Sequence, residues 1–153
     1  MSARRLFTAF QNPAWLCFCW FGIAAGAGLL ATVARFQAGS ITRPVALDVG
    51  REVFGLLNKV ELVMLIVFLM LIRVTGQARQ YLFVGGALAL IVMVQSAWLL
   101  PELSARTDII LAGGTPPESM AHALYSSLEL LKLGLLLVCG FGALAKPAAS
   151  HGG

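Results

Sequence analysis

Charged side chains are scarce in this chain. Asp, Glu, Lys and Arg make up 12% of the 153 residues, whereas a soluble domain averages about 25%. Hydrophobic residues make up 59%, and the mean hydropathy is +0.86. This composition excludes an ordinary soluble domain and is typical of a membrane protein. The net charge of +4 does not indicate binding to nucleic acid, because the basic residues are scattered and several flank apolar runs.

The common catalytic motifs are missing as well. The chain has no glycine-rich phosphate loop with its lysine, no zinc helix with paired histidine and glutamate, and no nucleophile elbow. We therefore expect a non-enzymatic protein and predict no cofactor. The three cysteines, Cys17, Cys19 and Cys139, all lie in apolar segments. On a helix, the thiols of Cys17 and Cys19 lie about 200° apart, so they cannot share a metal ion.

Four apolar stretches are each long enough to cross the hydrocarbon layer, which takes about 20 residues. They predict an all-α, integral membrane four-helix bundle, with spans at about 14–35, 52–73, 81–100 and 121–144. We expect one domain, 14–145, between a cytoplasmic lead, 1–13, and a flexible cytoplasmic tail, 146–153. A cleaved signal peptide is the alternative for the first stretch, but its apolar core would be only about 7–15 residues long.

Pro101 follows the third span directly. Apolar and charged residues over 101–112 have the spacing of a short amphipathic helix on the membrane surface, ended by Gly113 and Gly114. In the first span, Gly22, Gly26 and Gly28 form a small-residue face on which another backbone can pack closely.

Lysine and arginine counts predict the orientation. Basic residues outnumber acids in the lead, the second loop and the tail, which places both termini in the cytoplasm. The first loop is an exception to the positive-inside rule, because it carries Arg35, Arg43 and Arg51. Four spans with both termini inside nevertheless place this loop outside. We expect the protein in a bacterial inner membrane.

Polar residues in three of the spans fall at similar depths, in the outer half of the predicted bundle. The first half of the fourth span has five polar residues within one arc of roughly 120° around the helix: His122, Tyr125, Ser126, Glu129 and Lys132. The candidate ligand-binding residues are Asn58, Glu61, Gln95, His122, Tyr125, Glu129 and Lys132.

The charges in these spans balance, with Lys59 and Lys132 against Glu61 and Glu129. Intramembrane ionisable groups normally face the bundle interior and pair. We expect Lys132 to pair with Glu129 along one helix and with Glu61 between helices. Two interpretations stay open: the pairs hold the helices in register, or they form a pocket for a small polar ligand.

His122 is a weak candidate for a metal or haem ligand at the mouth of the cluster. The other histidine, His151, lies in the tail on the opposite side, so one chain cannot supply two axial histidines. Soft side chains in the inner half, Met64, Met70, Cys17 and Cys139, are candidates for copper, although such residues usually fill gaps in packing.

Several short segments occur in an order known from one family. They are residues 54–61 (FGLLNKVE), residues 98–106 (WLLPELSAR), and His122, Tyr125, Glu129 and Lys132 after a glycine-rich first span. The chain resembles bacterial members of the transmembrane-protein-205-like family over about residues 14–144. The resemblance implies a four-span membrane protein and brings no established activity or catalytic residues.

Two functional classes follow from these patterns. The first is a small binding or transport component, or an accessory subunit that forms a homo-oligomer or joins a larger membrane complex. The second is a haem- or metal-binding redox or resistance protein centred on His122. The lipid bilayer is the expected partner in both.

Overall fold

Four long helices make up most of the computed structural model, which describes residues 11–145. They are α1 (Ala14–Gln37), α2 (Arg43–Val74), α3 (Ala78–Leu111) and α4 (Ala121–Leu144). Each is long and apolar enough to cross a membrane. Within the described residues there is no strand, so the all-α prediction with four candidate spans is confirmed. The predicted lead and tail lie largely outside the described residues.

Local sequence explains where the helices begin and end. α2 begins with Pro44 in its first turn, where a proline loses no helical hydrogen bond. α2 begins at Arg43, nine residues before the predicted second span, 52–73. Gly76 and Gly113, with φ of +71° and +80°, follow the ends of α2 and α3. This left-handed conformation favours glycine and ends a helix.

The four helices pack against one another around an apolar core. α1 lies along α4, α2 lies along α3, and further contacts join α1 to α2 and α3 to α4. Trp20, Phe68 and Leu136 are fully buried in this core. The outer surface is also apolar, since Phe83 is 82% exposed and Val138 is 70% exposed. An apolar exterior on helices of this length indicates a membrane protein.

The structure differs from the expected separate surface helix between the third and fourth spans. Residues Leu100–Leu111 are helical but continue α3 without a break. Gln95–Leu99 form one wide π-helical turn, in which the N–H of Leu100 donates to the carbonyl of Gln95. Pro101 has no N–H for the carbonyl four residues earlier, and the wide turn carries the helix past this missing bond.

The three glycines of the predicted packing face of α1 have different surroundings among the described residues. A Cβ added at Gly22 or Gly26 would have no atom of another helix within 4 Å, so residues 11–145 leave this part of the face open. Gly28 lies against the side chain of Glu129. α1 also packs closely against α4 at Gly140, where an added Cβ would lie 2.8 Å from the ring of Phe18.

Candidate functional site

Lys132 forms the centre of a charged cluster midway along α4. Its ammonium nitrogen lies 2.5 Å from Glu61 Oε1, 2.8 Å from Glu129 Oε2 and 3.0 Å from Gln95 Oε1. An ammonium group has three N–H donors, so each has one acceptor. The predicted pairs of Lys132 with Glu129 and with Glu61 are both present.

All four helices supply side chains to this cluster. Trp20 of α1 donates its indole N–H to Glu61 Oε1 at 3.0 Å. Gln95 of α3 accepts from Lys132 and donates to Glu129 Oε2 at 3.0 Å, so both ends of its amide are engaged. These bonds lock the five side chains into one network, which we call the charged cluster: Trp20, Glu61, Gln95, Glu129 and Lys132.

The charged cluster is closed to solvent. Glu61, Gln95 and Lys132 have no exposed surface, and Glu129 is almost completely buried. The second oxygens of the carboxyl groups, Glu61 Oε2 and Glu129 Oε1, are buried and have no hydrogen-bond partner among the described residues. Unpartnered buried oxygens of this kind are costly, so they require an explanation.

The predicted charge balance is wrong because Lys59 does not join the cluster. Its side chain is exposed on the outer surface of α2. Residues 59 and 61 differ by two positions, which is about 200° around a helix, so Lys59 faces outward where Glu61 faces inward. The cluster therefore has two carboxyl groups and a single ammonium group.

Two further predicted residues lie beside the cluster but are not bonded to it. Asn58 donates to the hydroxyl of Ser96 at 2.8 Å, and Ser96 follows Gln95 directly. Tyr125 is buried edge-on against Phe54, with ring centroids 5.3 Å apart, and its hydroxyl has no partner within residues 11–145. Asn58 and Tyr125 thus form a second polar layer around the charged cluster.

His122 lies apart from the charged cluster, in the wall of a cavity of about 780 Å³. Within residues 11–145, no group of three or more His, Cys, Asp or Glu side chains is arranged to hold a metal ion. His151 lies outside the described residues. Of the soft side chains considered for copper, Cys17 and Cys139 are buried in the same apolar core, but Met70 is 63% exposed. The structure does not bring that set together.

Sequence reasoning did not include Trp20 in the site, and it predicted Gly28 only as a helix-packing residue. A tryptophan in an apolar span resembles any core residue, and only the packed structure shows which acceptor its N–H reaches. Gly28 belongs to a second π-helical turn, Gly26–Leu30, where an added Cβ would lie 3.7 Å from Glu129 Oε1. The signal available in the sequence was the density of glycines there.

The fold and this cluster define the class of protein: a helical membrane protein with an ionic network buried among its candidate spans. The chain matches no family model, no curated protein and no solved structure. Membership of the transmembrane-protein-205-like family stays a prediction.

Proposed function

We propose that this protein is a small, non-enzymatic binding or transport component of a bacterial inner membrane, and that its charged cluster binds a proton. The observation that carries this proposal is the pair of carboxyl groups, Glu61 and Glu129, around the single ammonium group of Lys132. The cluster is the ligand site of the proposed function, and Asn58 and Tyr125 surround it.

Charge balance explains why a proton is the proposed ligand. An uncompensated charge in a buried, low-dielectric site costs several kcal/mol. One ammonium group neutralises one carboxylate, and the cluster becomes neutral when the second carboxyl group holds a proton. The two unpartnered oxygens, Glu61 Oε2 and Glu129 Oε1, are the atoms at which this proton binds.

The arrangement in the membrane is part of the same proposal. The four helices form one transmembrane bundle with both termini in the cytoplasm. The apolar outer surface, with Phe83 and Val138 exposed, supports contact with lipid along the helices. Ionisable groups inside such a bundle usually mark ion or proton pathways, and this supports a role in binding or transport.

The proposal is tested by infrared spectroscopy of the purified protein at neutral pH in dodecyl maltoside, a detergent without carbonyl groups. A protonated carboxyl group gives a C=O stretching band that an ionised carboxylate lacks. We expect this band in the wild-type protein and its loss in both Glu61→Gln and Glu129→Gln, because either change leaves one carboxylate balanced by Lys132. The control is Glu118→Gln, at an exposed position, which retains the band.

Removal of the ammonium group gives the opposite result. In Lys132→Met, two buried carboxyl groups remain without a counter-charge, so both take up protons and the C=O band is roughly doubled. A wild-type protein without a carboxyl C=O band at neutral pH would show that no proton is bound, and the proposed function would be wrong.

One observation favours a second candidate function, an accessory subunit of a larger membrane complex. Gly22 and Gly26 leave open space on α1 that no described residue of the chain fills. Small residues allow helices of different proteins to approach closely in membranes.

A further inference from the structure

A cavity of about 780 Å³ lies next to the charged cluster, towards the α1–α2 loop. Its volume is in the range of small-molecule sites, about 300–1,000 Å³. α1, α2 and α3 supply most of the wall, and His122 belongs to α4. Ser96 and Phe54 line the cavity and also contact Asn58 and Tyr125, so the floor adjoins the second polar layer.

The charged residues in the cavity wall are all arginines. They are Arg35, Arg43, Arg51 and Arg106, and no aspartate or glutamate of the described residues lines the cavity. Arg51 is compensated by ion pairs with Asp48 and Asp108. Over residues 11–145, Arg35, Arg43 and Arg106 form no ion pair. The cavity therefore has a surplus of positive charge.

Arg35 is held in a fixed position in this wall. Its guanidinium group lies 5.3 Å from the ring centroids of Phe36 and Phe54, and Nη2 donates to Thr32 at 3.2 Å. A Cβ at Gly50 would lie only 2.7–2.9 Å from the guanidinium atoms, so a glycine is needed for this approach. Nε and Nη1 are buried and have no hydrogen-bond partner among the described residues.

We propose that this cavity binds an amphipathic oxyanion, a phosphate or carboxylate group attached to an apolar body, with Arg35 as its main ligand. The fork of N–H groups on arginine matches the paired oxygens of these anions. Arg43 and Arg106 add positive charge, and Ser104 adds a hydroxyl donor. Leucine, isoleucine and phenylalanine side chains in the wall receive the apolar body.

The proposed anion site explains a feature of the sequence that the positive-inside rule does not. Three of the four arginines belong to the first loop region, where they oppose the predicted orientation. In the structure they line one cavity, and the anion supplies the negative charge that the cavity lacks. This inference does not depend on proton binding by the charged cluster, because the two sites share no residue.

Two sources of the anion have the same chemistry, an acidic phospholipid or a soluble organic anion. In the first arm, native mass spectrometry compares dihexanoyl phosphatidylglycerol with the zwitterionic dihexanoyl phosphatidylcholine. In the second arm, thermal unfolding in nanodiscs of phosphatidylcholine alone is measured with hexyl phosphate, and hexanol is the uncharged control. Binding in the first arm alone identifies a lipid, and stabilisation in the second identifies a soluble anion.

Two pairs of variants test the role of Arg35. Arg35→Gln is expected to weaken binding of the effective probe by about tenfold or more, because it removes the charge-assisted hydrogen bonds. The exposed Arg73, which does not line the cavity, is the control as Arg73→Gln. Gly50→Ala keeps every charge but displaces the guanidinium group, so it also weakens binding.

Gly55→Ala is the matched control for the second pair, because Gly55 lines the same cavity and has no atom within 4 Å of an added Cβ. The proposal is overturned if the wild-type protein binds neither anionic probe more tightly than its uncharged or zwitterionic counterpart. It is overturned equally if Gly50→Ala and Gly55→Ala bind the anion alike. The infrared band of the charged cluster remains in all four variants, so failure here is distinct from failure of the proposed function.

Discussion

Lys132 shows how one residue determines the environment of its neighbours. A buried ammonium group is costly unless each of its donors has an acceptor, and Glu61, Glu129 and Gln95 supply these acceptors. The whole network adds little to the free energy of folding, because burying its charges is itself costly. Removal of a single partner is strongly destabilising, because it leaves a buried charge without compensation. The cluster is therefore sensitive to single substitutions.

The change Lys132→Met is expected to lower the free energy of unfolding by about 3–5 kcal/mol, since the carboxylate that loses its ammonium partner must take up a proton at neutral pH to stay buried. The control Lys59→Met removes the same side chain from an exposed position, and its effect should stay within about 0.5 kcal/mol. Reversible unfolding in SDS, followed by circular dichroism, measures both. Equal losses of stability in the two variants would contradict the central role of Lys132.

The residues of the charged cluster were largely predictable from the sequence. Glu61, Gln95, Glu129 and Lys132 are polar groups within apolar runs, and such groups must meet inside the protein. Helical geometry also predicts that Lys59 lies outside the cluster, because Lys59 is two positions from Glu61 and therefore faces the opposite side of α2. The hydrogen bond from Trp20 to Glu61 could not be predicted from the sequence, since it depends on the relative rotation of α1 and α2.

At the scale of the helices, two π-helical turns distinguish this fold from four regular spans. One brings Gly28 against Glu129, and the other begins at Gln95. Wide turns of this kind are rare and occur often at functional sites. The continuity of α3 was not predicted from the sequence, because Pro101 indicated a break between the third span and a separate helix.

Packing between α1 and α4 gives a prediction with an internal control. Gly140→Leu is expected to lower the melting temperature of the purified chain, because a side chain there collides with Phe18. Gly26→Leu is expected to leave the melting temperature unchanged, since the space beside Gly26 is open. Thermal unfolding in detergent distinguishes the two, and equal destabilisation would contradict this packing.

The same variant, Gly26→Leu, tests the accessory-subunit function. If the open face of α1 contacts another protein, the wild-type chain extracted in mild detergent carries that partner and Gly26→Leu does not. Isolation of both proteins only as the free chain or a self-oligomer would exclude that role.

At the scale of the whole molecule, polarity is reversed relative to a soluble protein. The most polar cluster is buried in the middle and the helix exteriors are apolar. Composition alone predicted this pattern. The arginine-lined cavity was not predictable, because Arg35, Arg51 and Arg106 come from three helices and their sequence spacing contains no sign of their proximity.

Orientation is predicted by the basic residues and is tested by labelling single cysteines. After replacement of the native cysteines by alanine, Ser40→Cys lies in the α1–α2 loop and Gln80→Cys lies at the beginning of α3. A membrane-impermeant maleimide added to spheroplasts should label Ser40→Cys, and should label Gln80→Cys only after permeabilisation. The reverse pattern would place the arginine-lined cavity in the cytoplasm.

The hydrogen bonds of Lys132 to three acceptors also have a consequence for biogenesis. α2 inserted alone exposes Glu61 to hydrocarbon, and α4 alone exposes Glu129 and Lys132, at an expense of roughly 2.5–3.5 kcal/mol for each group. Association of the helices offsets this free-energy cost, because it brings the ionisable groups together. A nascent chain is therefore expected to be fully stable in the bilayer only after all four helices have associated.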